Sequence, residues 1–541
     1  MGRATKFGFG LIAASLVITF AGPRFASAAT VPGTASNFTL VGHEPLFDRG
    51  VNAAGAIFDH FEYIGSRSDG THVHSGVQIV DIADPANPVD IGEIPLPNTT
   101  SAPMTAGYTS RELRVWPQQQ VLMVIYFGCS ALIHACASGS DAVSAPFQRT
   151  LFFDLSNGHG GSPVLTSTYL PSTTPHEMFL WVDPNNPARA LMFFTSPNNS
   201  SKQLVVTDIS GWKTGTFTEI ATFAKPAGYA ATDTTNFDVR LHSLSISPDG
   251  TRGYLAYLGG GVLVIDTSQV AAGVVNPVIS LITPVSGRAF WDNQGAHSSV
   301  RIPTKPYILT TEEIYGATPG LNDVFGPAFG GCPWGWVRIV DMSDPTNLHV
   351  VSEFKIDENQ QSFCSSVSTT QNDFSSYASH NPTVLPDIAI ATWHSGGLRA
   401  IDLTDPTNPV QDGFFVATPN TLGVGQVHTA DPALEPGSDG VTDWSYPIIR
   451  NGLIYFIDVA NGLYIVRYTG PHADEVNGIT FLEGNSNLGD AARLAVAPGT
   501  PTPEAPQVFL LAGVSALVIG GTLLVMRRRR RGVEDRVAPP S

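Results

Sequence analysis

The sequence predicts an all-β protein, a seven-bladed β-propeller with an N-terminal signal peptide and one C-terminal transmembrane helix. Three observations support this: a short apolar strand that recurs along the chain, a composition rich in turn residues, and an apolar segment at each end. Of the 541 residues, 53 are glycine and 41 are proline. So many turn formers suit short strands joined by turns better than they suit helices.

The first 28 residues have the layout of a secretory signal peptide. Arg3 and Lys6 form a basic start, an apolar run extends from Phe7 to Ala21, and small residues at 26–28 provide a cleavage site. A buried N-terminal helix is the alternative, but it does not explain the small-residue site. We therefore expect residues 1–28 to be removed and the body of the protein to be exported.

The C-terminal residues are predicted to form a linker (485–507), a transmembrane helix (508–526) and a short cytoplasmic tail (527–541). The helix segment has 19 residues and no charge. Nineteen residues extend about 28 Å as an α-helix, close to the thickness of the hydrocarbon core. Consecutive arginines follow and favour the cytoplasmic side. The predicted location is the cell membrane, crossed once, with the N-terminal domain outside.

The body between these two ends is strongly acidic. The chain has a formal charge of −17, and because many basic residues lie at the termini, the rest carries 20 basic and 44 acidic side chains. Phosphate backbones bind to clustered lysine and arginine. Nucleic acid is therefore excluded as a partner. The expected partners are the membrane, through the C-terminal helix, and a protein at the cell surface.

Cysteine usage agrees with export. An exported protein enters an oxidising compartment, so the four cysteines are expected to form disulfides. Four cysteines allow three pairings, and the pairing of nearest neighbours closes the shortest loops. No pair has the C-x-x-C spacing of redox motifs. The four residues are Cys129, Cys136, Cys332 and Cys364.

A short apolar strand that ends in Asp, followed by a turn with Pro or Gly, recurs six times, and a seventh copy has Arg467 instead of the Asp. The steps between copies are 54 to 75 residues. Each step fits four strands and a loop, and such a unit buries its faces only by stacking on its neighbours. Seven copies within residues 37–484 therefore predict seven blades. The repeated residues are Asp81, Asp154, Asp208, Asp266, Asp341 and Asp402.

Each repeated Asp is expected to accept backbone N–H groups of the turn that follows it, which is a structural role rather than a catalytic one. Two long steps contain insertions at 129–144 and 315–334, predicted to be loops on one rim. The closure of the ring stays open. Residues 37–46 can supply the outer strand of the last blade, or Gly478–Gly484 can complete that blade instead.

The segments IVDIADPANPV, IVDMSDPTNLHV and AIDLTDPTNPV resemble the LVIVD repeat, which occurs in exported bacterial and archaeal β-propellers. The resemblance covers about residues 37–484 and is strongest in the first, fifth and sixth copies. It implies the propeller fold. It implies no particular reaction, because propellers host many unrelated activities.

In four consecutive copies a histidine opens the apolar strand that precedes the repeat motif. The innermost strands of a propeller run alike, so we expect these four imidazoles to converge at one mouth of the central channel. Converging neutral imidazoles are a common ligand set for zinc or copper. The candidate ligands are His176, His242, His297 and His380. The carboxylates expected to join or orient them are Glu177, Asp238, Glu312 and Glu313.

A structural role for these histidines is the alternative. Each can close its blade by a hydrogen bond to a neighbouring backbone group, and a repeat naturally copies such a residue. His394 is interpreted as structural because it lies near a turn of the sixth copy. The equivalent positions in the other copies hold other residue types. These are Asn52, Arg111 with Glu112, and Ser445.

The sequence supports two hypotheses for function. It contains no G-x-S-x-G, H-E-x-x-H or P-loop motif, so no catalytic residue is assigned. The first hypothesis is a membrane-anchored extracytoplasmic propeller that presents a binding or interaction surface. The alternative is a metal-dependent oxidoreductase or hydrolase, with copper or zinc held in a His-lined central channel.

Overall fold

The computed structural model describes residues 33–68, 73–95, 108–128, 149–229, 239–291, 295–314, 335–364, 377–418 and 441–496. Among these residues almost all regular structure is β-strand, arranged as antiparallel sheets. The first strands of the first six repeats contact one another in chain order, a hydrogen bond from Thr383 to Pro447 O joins the sixth repeat to the last, and the last sheet contacts the first. The sheets therefore form a ring, and the prediction of an all-β propeller is confirmed.

The N-terminal half begins with two strands that precede the repeats, β1 (Ala35–Ser36) and β2 (Phe38–Glu44). The first repeat contains β3 (Asn52–Phe58), β4 (Phe61–Ser66), β5 (Val77–Asp81) and β6 (Val89–Ile94). The second contains β7 (Tyr108–Trp116), β8 (Val121–Gly128), β9 (Arg149–Asp154) and β10 (Val164–Tyr169). The third contains β11 (Met178–Val182), β12 (Ala190–Thr195), β13 (Leu204–Gly211) and β14 (Thr216–Phe223).

Two further four-stranded sheets follow. One contains β15 (Arg240–Ile246), β16 (Arg252–Leu258), β17 (Gly261–Asp266), helix α1 (Ser268–Ala271) and β18 (Ser280–Leu281). The next contains β19 (Ala296–Arg301), β20 (Tyr307–Glu312), β21 (Val337–Asp341) and β22 (His349–Phe354), and it is followed by helix α2 (Gln361–Cys364).

The C-terminal part contains the last two sheets. The first is β23 (Ser379–Val384), β24 (Ile388–Trp393), β25 (Gly397–Asp402) and β26 (Val410–Phe415). The second is β27 (Ile448–Arg450), β28 (Leu453–Asp458) and β29 (Gly462–Tyr468), followed by helix α3 (Ala473–Asn477), strand β30 (Phe481–Leu482) and helix α4 (Ala491–Leu494).

The strands are hydrogen bonded into six sheets, whereas seven separate blades were predicted. The difference arises between the first two repeats. Strand β4 meets β7 at one residue pair, Ser66 with Ser110, so the meanders β3–β6 and β7–β10 join into one eight-stranded sheet. The other five sheets each correspond to one repeat.

The core lies between neighbouring sheets, because each inner strand is buried on both faces. In β12, all six residues are buried. Met192 and Phe194 pack toward Trp116 and the β7–β10 side, whereas Leu191 and Phe193 pack toward the β15–β18 sheet. Full burial of such a side chain contributes about 1.5–3 kcal/mol. This explains why these strands are continuously apolar rather than alternating.

The repeated Asp residues have the predicted structural role. In each of the six, the Oδ1 atom accepts the backbone N–H of the residue two positions later, at 2.6–2.9 Å. The carboxylate thus stabilises the turn at the end of its strand. The donors are Ala83, Ser156, Ser210, Ser268, Ser343 and Thr404.

The ring is closed by the N-terminal segment. Strand β2 pairs antiparallel with β29, with Phe38 opposite Tyr468, and so forms the outer edge of the last sheet. Strand β1 extends the preceding sheet by pairing with β26. The alternative segment also joins the last sheet, but at its inner edge, where β30 pairs with β27. Both segments considered for ring closure therefore join the last sheet, at its opposite edges.

Part of the predicted linker is packed against the fold, so the ordered body extends beyond residue 484. The backbone N–H of Leu180 in β11 donates to Asn485 O at 3.1 Å. The side-chain amide of Asn487 accepts from Val182 N and donates to Val182 O, both at 2.8 Å. Leu488 and Leu494 enter two apolar clusters. This segment therefore runs from the last sheet to the sheet of the third repeat.

The predicted ends of the chain lie outside the described residues. This applies to the signal peptide at 1–28, the transmembrane segment at 508–526 and the tail at 527–541. Within the described part of the chain, no helix is long and apolar enough to cross a membrane. The inserted loops at 129–144 and 315–334 also lie outside it, as do Cys129, Cys136 and Cys332, while Cys364 ends helix α2.

Candidate metal centre

The structure places the four predicted histidines together at one mouth of the channel. His242, His297 and His380 lie near the starts of β15, β19 and β23, and His176 precedes β11. The Nε2 atoms of His176 and His242 are 2.8 Å apart. The ring centroids of His242 and His297 are 4.2 Å apart, and those of His297 and His380 are 3.9 Å apart. Adjacent repeats thus form an arc of imidazoles.

Irregular strand pairing aims these side chains at the channel. The register between β15 and β16 shifts from Leu241 to Ser243, so His242 has no partner across the ladder. Similar shifts occur beside His297 and His380. A β-bulge turns a side chain away from the regular alternation. The repeat therefore copies a local distortion together with the histidine.

A fifth histidine joins the arc, although it was interpreted as structural. His394 lies in a short 3₁₀ turn directly after β24, is 1% exposed, and has its ring centroid 5.0 Å from that of His380. Because β24 runs antiparallel to β23, its end returns to the mouth where β23 begins. The sequence signal that could have identified His394 is its position directly after the second strand of its repeat.

Glu313 is the carboxylate at the centre of the arc. It follows β20, whose end returns to the mouth beside the start of β19. Its Oε1 atom is 3.1 Å from His380 Nε2 and 3.9 Å from His394 Nε2. Its Oε2 atom is 3.8 Å from His242 Nε2 and 3.7 Å from His297 Nε2. Four of the five histidines therefore surround this one side chain.

The structure places Glu312 away from the histidines it was expected to orient, and the reason is strand alternation. Consecutive residues of an extended strand point to opposite sides. Glu312 accepts hydrogen bonds from Trp291 Nε1 and Gly295 N and forms an ion pair with Arg338, away from the histidines.

The other two predicted carboxylates have different outcomes. Glu177 does lie at the site, where it offers a ligand atom within 4.8 Å of those of His176 and His242. Asp238 lies outside the described residues.

Burial keeps four of the five histidines uncharged. Desolvation lowers the pKa of His176, His297 and His394 well below the usual value, and that of His242 to about 4. Burial opposes ionisation of Glu313, but the neighbouring rings, His297 first, outweigh it and hold the pKa of Glu313 well below its usual range. At neutral pH these four imidazoles are therefore uncharged, beside a carboxylate anion.

Two ring nitrogens in this buried site have no hydrogen-bond partner among the described residues. These atoms are His242 Nδ1 and His297 Nε2, in residues only 7% and 0% exposed. A buried polar atom without a partner costs about 1–3 kcal/mol. A ligand that accepts the lone pair of a ring nitrogen would remove this cost.

The contacts of His380 fix its tautomer when the ring is neutral. Its Nδ1 atom lies 2.6 Å from the carbonyl oxygen of Trp444, which can only accept a hydrogen bond. The proton therefore resides on Nδ1, and the lone pair of Nε2 faces Glu313 Oε1 at 3.1 Å. Two electron-rich atoms at this distance need a proton or a metal ion between them. A histidine that donates its other N–H to a backbone carbonyl is typical of metal ligation.

The opposite wall of the channel is cationic. A cavity of about 20 Å³ adjoins His380 and is large enough for one water molecule. The Arg67 guanidinium lies 3.7 Å from the centroid of the Trp444 ring. Arg111 contributes to the lowered pKa of His176 and His242, so its charge acts on the arc. The equivalent residues predicted from the other repeats line this same cavity, namely Asn52, Arg111, Glu112 and Ser445.

A polar layer lies below the histidines. The Tyr446 hydroxyl is 3.4 Å from Ser243 Oγ and 3.3 Å from Ser298 Oγ, and Ser298 Oγ donates to Asn381 Oδ1 at 2.9 Å. Each of these serines and Asn381 follows a histidine of the arc directly in sequence. This layer holds the inner strands in a fixed relation and thereby positions the imidazoles above it.

Comparison with known proteins gives solved structures only. No family model and no curated protein matches the chain. A protein from Lactobacillus plantarum is 12% identical with a TM-score of 0.40, over 68% of this chain and 85% of that one. The propeller domain of Cps50 (Swd1) from Myceliophteria thermophila is 9% identical with a TM-score of 0.40, over 80% and 99%. Sqt1 from Chaetomium thermophilum is 12% identical with a TM-score of 0.44, over 78% and 97%.

Similarity at this level carries no argument about function. The fold rests instead on the strand pairing of the chain itself, in which antiparallel sheets close into a ring. By that pairing, this chain is an all-β β-propeller.

Proposed function

We propose that this protein is a seven-bladed propeller of the LVIVD-repeat type whose central channel binds copper or zinc for an oxidoreductase or hydrolase reaction. We further propose that it is exported and held in the cell membrane by residues 508–526, with the propeller outside. The count of seven treats the meanders β3–β6 and β7–β10 as separate blades. Their strands are paired at only one residue pair, Ser66 with Ser110. The repeat motifs support the LVIVD-type propeller, and the two apolar ends of the sequence support export and membrane anchoring.

The observation that carries the metal proposal is the contact between His380 and Glu313. With Nδ1 of His380 donating to a backbone carbonyl, Nε2 faces a carboxylate oxygen at 3.1 Å. In a tetrahedral zinc site with bonds of about 2.0–2.1 Å, neighbouring ligand atoms are about 3.3 Å apart. An ion bound by both atoms would take the place of the proton that this contact otherwise requires. Copper and zinc both accept imidazole and carboxylate ligands.

The surroundings of the site favour an anionic ligand. A divalent ion adds positive charge to a channel whose opposite wall carries Arg67 and Arg111. Glu112 offsets part of this charge, but it also pairs with Arg114 at 2.9 Å. In a buried channel such charges are weakly screened. We therefore expect small anions to bind next to the metal.

The alternative function, a binding or interaction surface, depends on the loops at 129–144 and 315–334. These lie outside the described residues. The geometry of the channel supports the metal-dependent function. The two functions do not exclude each other, because loops on a rim and ions in a channel occupy different parts of a propeller.

The test is the metal content of the full-length protein, purified in detergent with a tag that contains no histidine. Copper and zinc would be measured by mass spectrometry after loading with each metal and desalting. At least one ion per chain is expected, with sharp losses in His297→Ala and His380→Ala. His349→Ala is the matched control, because the His349 side chain is 62% exposed. A wild-type protein that binds neither metal would contradict the proposal.

A further inference from the structure

The two oxygens of Glu313 face two different pairs of histidines. His242 and His297 lie at 3.8 and 3.7 Å from Oε2. His380 and His394 lie at 3.1 and 3.9 Å from Oε1. Within each set of two histidines and Glu313, the ligand atoms lie within 4.8 Å of one another. This division is the pattern of a carboxylate that bridges two ions.

The distances suit two ions better than one. Ligand atoms of one tetrahedral ion are about 3.3 Å apart, and the four Glu313 contacts lie around this value. Along the arc, the rings of His297 and His380 lie between those of His242 and His394, with successive centroids 4.2, 3.9 and 5.0 Å apart. Among the described residues, no group of possible ligand atoms within 4.8 Å of one another contains both His242 and His394. Two ions therefore fit these distances better than one.

We propose that the channel holds two metal ions bridged by Glu313, which rests on the metal binding proposed above. One ion is bound by His242, His297 and Oε2, and the other by His380, His394 and Oε1. All five residues are at most 8% exposed, so both ions lie away from bulk solvent.

His176 extends the histidine arc beyond the first ion. Its Nε2 atom is 2.8 Å from that of His242, and these two histidines and Glu177 form a separate group of possible ligand atoms. The second ion has no equivalent neighbour among the described residues, so its open coordination position is the natural site for water or a small anion. The two ions are therefore expected to differ in accessibility.

The proposal is tested on the full-length, detergent-solubilised protein carrying a tag without histidine. The protein is stripped with a chelator, loaded with Cu²⁺, desalted and analysed for copper per chain and for electron paramagnetic resonance intensity. Two ions per chain are expected, with an integrated spin count well below the copper count, because carboxylate-bridged Cu²⁺ ions couple magnetically. Glu312→Gln, which leaves the histidines untouched, is expected to give the same result.

Histidine variants that remove one ion at a time test the proposal without changing Glu313. His394→Ala and His242→Ala are each expected to retain one copper ion with full spin intensity. Glu313→Gln should lose at least one ion and abolish the coupling. One ion per wild-type chain, or two ions with full spin intensity, would overturn the bridged pair while leaving metal binding intact. Absence of any bound copper or zinc would instead overturn the proposed function itself.

Discussion

Glu312 and Glu313 are neighbours in the chain, but their carboxylates serve different parts of the molecule. Glu312 forms an ion pair with Arg338 and accepts a hydrogen bond from Trp291, within and beside its own sheet. Glu313 lies among the histidines of the channel, 3.1 Å from His380. The end of one strand therefore supplies one residue to the stability of the blade and the next to the candidate metal centre.

Glu312→Gln is expected to destabilise the fold without loss of metal. The ion pair between Glu312 and Arg338 is buried, with side chains 1% and 5% exposed. Loss of one partner from a buried pair costs about 3–5 kcal/mol, and the remaining contact of Arg338 with Glu353 at 3.1 Å should reduce this. Urea unfolding should show a loss of about 2–3 kcal/mol. A variant that loses its metal at unchanged stability would contradict the division of roles.

Gly42→Ala is expected to loosen the closure of the ring. Gly42 lies at a register shift in β2, and a Cβ atom there would be 2.1 Å from the carbonyl oxygen of Pro85 in the first repeat. The backbone must move to relieve this contact, at a cost of about 1–3 kcal/mol. Gly92→Ala is the matched control, because a Cβ atom at Gly92 meets nothing within 4 Å. Thermal melting of both variants should separate them, and equal melting temperatures would refute the close approach.

Asn487→Ala is expected to detach the segment that follows β30. The amide of Asn487 makes two hydrogen bonds to Val182 and one to Pro248 O at 3.1 Å. Its removal leaves buried backbone groups of β11 without partners, which costs about 1–3 kcal/mol each. We expect faster hydrogen exchange at Val182 and a lower unfolding free energy. Asn477→Ala, at an exposed position, should change neither.

Glu62→Gln is expected to remove a pH dependence of stability. Burial raises the pKa of Glu62 to about 8 from a usual value of 4.5, and neither carboxylate oxygen has a hydrogen-bond partner among the described residues. The folded state therefore keeps a proton that the unfolded state releases, so the wild type loses stability as pH rises from 4.5 to 8, by up to about 1.4 kcal/mol per unit.

In Glu62→Gln this loss should disappear, which makes the variant more stable than the wild type at pH 8 and equal to it near pH 4.5. Denaturant unfolding at a series of pH values measures the difference. Asp59→Asn serves as the control, since the Asp59 side chain is 66% exposed. Parallel pH profiles of the wild type and Glu62→Gln would show that Glu62 is ionised in the folded protein.

Arg67→Gln is expected to weaken anion binding at the metal. Loss of one charge-assisted hydrogen bond costs about 1.5–3 kcal/mol, or at least tenfold in affinity. Azide titration of the copper-loaded protein, followed by its absorption spectrum, should show this weakening while the copper content stays unchanged. Unaltered azide affinity would mean that the cationic wall does not contribute to the site.

The local features of this protein could be predicted from the sequence. Each repeated Asp bonds to a backbone group only two residues away, so the turn it forms depends on nearby residues alone. The convergence of His176, His242 and His297 was also predictable, because a repeat places equivalent residues at equivalent points of a ring. Sequence periodicity therefore determined the architecture and the position of the candidate site.

The tertiary structure decided the features that depend on distant segments. The contribution of His394 and the position of Glu313 beside His380 follow from where the second strand of a sheet ends relative to the first strands of its own and the neighbouring sheet. The closing strand β2 and the contact of Asn487 with Val182 join residues hundreds of positions apart. A local pattern carries no record of such contacts, because their free energy comes from burial and hydrogen bonding that exist only once the ring has closed.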